Sequence, residues 1–154
     1  MAAYASDTDL ETFIPSILEN GVVSFDVQLQ LASDDVLEMV KVKWWVNAVS
    51  SRYALNRETT DWSSYFPRFD EALLNTVQLK NLTCYRAFHK YICPMLTGDA
   101  DDADEWTRKE ERYKIYFDEE WDKITRMPLY DFNQDSAFDD IERRQGGGVR
   151  LQRA

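Results

Sequence analysis

Apolar residues recur at helical spacing over three long stretches of this chain. In the first, Asp34–Tyr53, Val36, Val40, Val46 and Val49 fall near one stripe, which Leu37, Trp44 and Trp45 widen. In the second, Phe69–Ile92, the stripe is Leu73, Leu74, Val77, Leu82, Tyr85, Phe88 and Ile92, with Pro94 and Gly98 expected to close the helix. In the third, Trp106–Met127, Trp106, Tyr113, Phe117, Trp121 and Ile124 recur at spacings of three, four and seven before Pro128. The acidic run Asp99–Glu105 suits the start of that helix.

The N-terminal part is less regular. Thr8–Asn20 reads as one short helix or two broken turns, capped by Asp7 or Thr8, interrupted by Pro15 and ended by Gly21. Val22–Ala32 alternates Val27, Leu29 and Leu31 with polar residues, which fits a strand. Ser24 also caps well, so a helix remains open there. The pattern predicts an all-α fold, a bundle of three to four helices with an extended C-terminal arm. Composition shifts divide it into an N-terminal segment 1–32, a bundle body 33–128 and a tail 129–154.

At 154 residues the chain is long enough for one core without a metal or disulfide. Its formal charge of -10 excludes binding nucleic acid by general phosphate neutralisation. No apolar run is long enough for a transmembrane helix, and Met1–Glu19 lacks the basic and apolar regions of a secretory signal. Cys84 and Cys93 lie nine apart in one helix, which points them to opposite faces as small buried thiols in a reducing cytoplasm. His89, the sole histidine, has no metal-ligand cluster beside it in sequence. No GxSxG, HExxH, P-loop or GxGxxG motif occurs, and outside the tail only Gly21 and Gly98 are glycine. The expectation is a protein that is not an enzyme and needs no cofactor.

Two tail features carry candidate chemistry. Asp131, Asn133, Asp135, Asp139 and Glu142 fall at positions 1, 3, 5, 9 and 12 of an EF-hand-like loop. Calcium needs several hard oxygens converging on one point. Ser136 replaces the glycine of position 6 and Pro128 breaks the entering helix, so an acidic turn capping its own backbone is the competing reading. The last twelve residues include Arg143, Arg144, Gly146, Gly147, Gly148, Val149, Arg150, Leu151 and Arg153. Residues 1–142 carry -14 and residues 143–154 carry +4. Val149 and Leu151 alternate with polar residues, which suits a short strand laid on an acidic partner, another copy included.

The order of these parts resembles the head-to-tail connector (adaptor) proteins of tailed bacteriophages. The likeness rests on LKNLTCYRAFHKYI, on the aromatic-acidic helix from Trp106 through EERYKIYFDEEWDKI, on YDFNQDSAFDDIER and on the terminal GGGVRLQRA. It spans roughly Asp34–Ala154 and contains no diagnostic motif. It implies a structural virion protein at the head-tail junction, made in the host cytoplasm and assembled as a homo-oligomeric, dodecameric ring. The implied partners are a portal protein, neighbouring copies and a tail or nozzle protein. Genomic DNA would pass through the channel unbound, and no membrane is involved. Arg143–Ala154 would be the portal-binding arm, with Val149 and Leu151 as apolar pegs. The alternative is a single EF-hand-like calcium-binding interaction module.

Overall fold

A computed structural model describes residues 3–19, 21–49, 68–97, 103–131, 134 and 137. Among them the fold is all-α: α1 is Asp7–Glu11, α2 Asp26–Met39, α3 Thr76–Ala87, α4 Cys93–Thr97 and α5 Ala103–Ile124. A π-helical segment, Val40–Trp45, continues α2, and another, Phe88–Ile92, joins α3 to α4. Short 3-10 turns form at Ile17–Glu19 and Glu71–Leu73. The C-terminal arm, residues 143–154, lies outside the described residues.

Several boundaries differ from the sequence expectation. Helix α2 starts at Asp26 instead of Asp34, which decides Val22–Ala32 for helix over strand. Local capping explains this: the Asp26 N–H donates to Ser24 Oγ (3.1 Å) and the Phe25 N–H to Asp7 Oδ1 (2.9 Å). The cap of α1 is Ser6, whose N–H and Oγ both donate to Asp9 Oδ2. Pro94 does not close the helix. It sits in the first turn of α4, directly after the π-helical segment, where the regular i−4 ladder is already disturbed and a missing N–H costs little.

The chain divides into two compact units, Met1–Leu37 with Thr76–Asp122 and Glu38–Asn75 with Lys123–Ala154. The division falls elsewhere than the composition shifts at 32/33 and 128/129. Helix α2 is continuous through Ser33, and Leu129–Asp131 pairs with Leu73–Asn75.

In the first unit the N-terminal segment is part of the core. Leu10, Ile17 and Phe25 are fully buried with Leu29 and Ala32 of α2, Cys84 and Ala87 of α3, Phe88, Ile92, and Trp106 and Tyr113 of α5. Ser33 ties the segment down, accepting from the Tyr4 N–H (3.0 Å) while donating to the Leu29 carbonyl (2.8 Å). The π-helical segment sets the register of the long helix. Leu79, Thr83 and Ala87 are buried at steps of four, then Phe88, Ile92 and Leu96 at steps of four, so the extra residue moves the buried stripe by one position. Val77, expected on the stripe, is 79% exposed.

In the second unit Trp44 and Trp45 are both buried, although neighbours on a helix diverge. Trp45 packs in an aromatic triad, 5.3 Å from Phe69 and 4.7 Å from Tyr130 between ring centroids. Tyr130 forms an isolated bridge with Leu74, and its Oη accepts from the Asp70 N–H (3.1 Å). The Asn75 N–H donates to the Leu129 carbonyl and the Asp131 N–H to the Leu73 carbonyl, each at 2.9 Å.

Candidate functional site

Among the sequence-derived site residues, Asp131 alone is described. Asn133, Asp135, Asp139 and Glu142 of the acidic run lie outside the described residues, as do Arg143, Arg144, Gly146, Gly147, Gly148, Val149, Arg150, Leu151 and Arg153 of the arm. Asp131 is buried beside the Leu74–Tyr130 bridge. Helix α5 ends at Ile124, and turns lead from it to that bridge, so Asp131 does not follow directly on a helix as position 1 of an EF-hand does. Gln134 takes the left-handed backbone (φ 59°), where an asparagine or glycine is the commoner choice, and Ala137 is exposed. Among the described residues, no group of three or more His, Cys, Asp or Glu side chains is arranged to hold a metal ion, and no helix is long and apolar enough to cross a membrane.

The structure instead assembles a polar cluster in the first unit that sequence reading missed. Asp35 on α2 receives three donors on one oxygen, Oδ2: Arg86 Nε at 2.9 Å, Lys90 Nζ at 2.6 Å and Tyr91 Oη at 2.9 Å. Asp35 and Arg86 are each largely withdrawn from solvent. Burial is the largest influence on the Asp35 carboxyl and opposes its ionisation. The hydrogen bonds from Lys90, Tyr91 and Arg86, with the Arg86 charge, together outweigh it and hold the carboxyl below its usual range. Lys90 is held above its usual range by the same bond to Asp35. The sequence signal was faint. Arg86 and Lys90 lie at i,i+4, so one face presents two cations, but nothing in sequence links them to an aspartate some fifty residues earlier.

His89 borders this cluster. Its Nε2 lies 3.4 Å from Arg86 Nη1, and its ring centroid lies 5.3 Å from that of Phe117, over which the Arg86 guanidinium also sits. Burial pushes its pKa down to about 4; the cations Arg86, Lys114 and Lys90 add to this, and Asp118 opposes it. The neutral ring accepts from Arg86 and serves packing. An unfolded histidine titrates near 6.5, so the unfolded chain binds more protons between about pH 6.5 and 4. The stability from keeping His89 neutral is therefore present above that window and lost as pH falls through it. Partial exposure of the ring reduces the expected loss to about 2 kcal/mol. Urea midpoints at pH 7 and pH 5 should diverge more for the native chain than for His89→Gln. Equal divergence would remove His89 from the account.

The cysteines are free and buried. Both enter the core cluster, Cys84 within electrostatic reach of Asp9 on α1 and Cys93 within that of Glu110 on α5. Burial pushes both thiols up to about 12, so neither is a ready nucleophile.

Large apolar side chains left in solvent form a second feature of the first unit. They comprise Val23 in the turn before α2, Val27 and Leu31 on α2, Val77 on α3, and Ile115 and Tyr116 on α5.

The fold and these sites define an all-α helical protein whose described chemistry is packing, ion pairing and apolar exposure. No protein family, curated protein or solved structure matches the chain.

Proposed function

We propose that the chain is a structural ring component joining a phage portal to a tail, with a central channel through which DNA passes. The observation that carries this reading is the spread of exposed aliphatic side chains over α2, α3 and α5. A subunit in a closed ring uses two different surfaces, one for each neighbour, and must leave both uncovered when alone. The charge division supports the same reading. An acidic body does not retain passing DNA, and the +4 segment 143–154 is fitted to an acidic partner surface.

Deleting Arg143–Ala154 is the test. The described core residues of both units lie before residue 143, so the truncated chain should keep its circular dichroism and thermal midpoint. It should no longer attach to portal-containing capsids, as judged by co-sedimentation and negative-stain imaging. Undiminished attachment would overturn the portal-binding role of the arm.

A further inference from the structure

Helix α2 presents two adjacent rows to solvent. Val27 and Leu31 lie at i,i+4 on one row and are 68% and 45% exposed. Asp26, Gln30 and Asp34 lie at steps of four on the next row, and all but the half-buried Gln30 are exposed. Gln30 Nε2 donates to Asp34 Oδ1 (3.0 Å), which holds the carboxylate alongside the apolar row. Val23, in the turn before the helix, is 95% exposed and extends the apolar surface at its N-terminal end. Elsewhere on α2, Leu29, Ala32, Ser33, Val36 and Leu37 are buried.

The C-terminal sequence is complementary to these rows. Alternate residues of an extended segment stand about 6.8 Å apart. Residues four apart on a helix rise about 6 Å. Val149 and Leu151 therefore match the spacing of Val27 and Leu31, and Arg153, on the same side of an extended segment as they are, brings positive charge to a face carrying Asp26 and Asp34.

We propose that, in copies not engaged on a portal, this face of α2 receives residues 149–153 of a second copy of the chain. The choice of a second copy over the chain's own arm rests on the ring reading; the match between face and segment does not. Such a contact joins two different surfaces, arm to face, and repeats head to tail until it closes.

Two measurements test it. In the first, a fluorescent peptide of residues 143–154 is titrated with the full chain and followed by anisotropy. Saturable binding is expected, weakened by salt and reduced about tenfold or more by Val27→Asp with Leu31→Asp, both exposed positions that leave the core intact. Val77→Asp, at an equally exposed position on α3, should bind as the native chain does. Absent binding, or equal binding to the α2 variant, overturns the docking face.

In the second, the α2 variant is mixed with Arg150→Glu/Arg153→Glu, above the peptide's dissociation constant, in sedimentation velocity. Each variant alone should be monomeric. The mixture should give one-to-one pairs, because the intact arm of one meets the intact face of the other. A mixture that stays monomeric overturns the second copy. Neither experiment contains a capsid, so failure here is distinguishable from failure of portal attachment.

Discussion

Replacing Phe88 by alanine should destabilise the protein by about 4 kcal/mol. Phe88 is fully buried in the π-helical segment between α3 and α4. Its ring stacks on Tyr113 of α5 with centroids 4.4 Å apart and planes 17° apart, and Phe13 meets it edge-on at 6.3 Å. Truncation removes the apolar transfer term, both aromatic contacts and the packing between the N-terminal segment and α5. The cavity left behind lies within a packed cluster, whose side chains relax only in part. Against a typical total of about 5–15 kcal/mol, that leaves a small margin. Urea unfolding should show a lowered midpoint with an unchanged slope. Phe88→Leu, which refills most of the volume, should recover more than half of the loss. Val77→Ala, at a position facing water, should lie within about 0.5 kcal/mol of the native chain. A Phe88→Ala loss below about 1.5 kcal/mol would mean that this core is not the one that holds the fold.

The helical class was legible because Trp106, Tyr113, Phe117 and Ile124 repeat at helical spacing on one helix and all bury. Spacing failed where the helix was not ideal. Val77 shares a regular helical period with Phe88 and Ile92, and the π-helical segment at Phe88–Ile92 breaks that period. The stretch Val22–Ala32 stayed ambiguous because alternation and helical periodicity overlap in a short window. The deciding interactions, Asp7 to the Phe25 N–H and Ser24 to the Asp26 N–H, include one from outside it. The N-terminal segment was separated from the body by composition, yet Leu10 and Ile17 complete the same core as Phe88. Long-range pairing is what single-sequence periodicity does not carry. Asp35 illustrates this best: in sequence it is one acid in the run Ser33-Asp34-Asp35, apparently a helix start, and in space it is the meeting point of three donors.

Asp35→Ala should cost about 3 kcal/mol, the largest loss expected from any polar substitution on α2. The carboxylate joins α2 to residues 86–91 through one oxygen, and Asp35 and Arg86 are each only about one-fifth exposed at their side chains (22% and 20%). Removing it leaves the Arg86 charge partly desolvated beside Phe117, with Lys114 and Lys90 adding like charge nearby. It also leaves the Tyr91 hydroxyl without this acceptor. The double variant Asp35→Ala/Arg86→Ala should lose less than the sum of its two singles, because the second substitution removes a cation that the first stranded. Asp35→Asn keeps an acceptor of the same shape without the charge, so it should fall between native and alanine. The pH dependence has a fixed sign. The folded carboxyl titrates below its unfolded value of about 3.9, so its contribution is fully present above that value and is lost as pH falls through the folded value. The His89 loss occurs at higher pH, between about 6.5 and 4, so acid unfolding should show two separable components. In Asp35→Ala the lower component should disappear while the His89 slope persists. An alanine variant that unfolds at the native urea midpoint would reduce the cluster to a solvated surface contact.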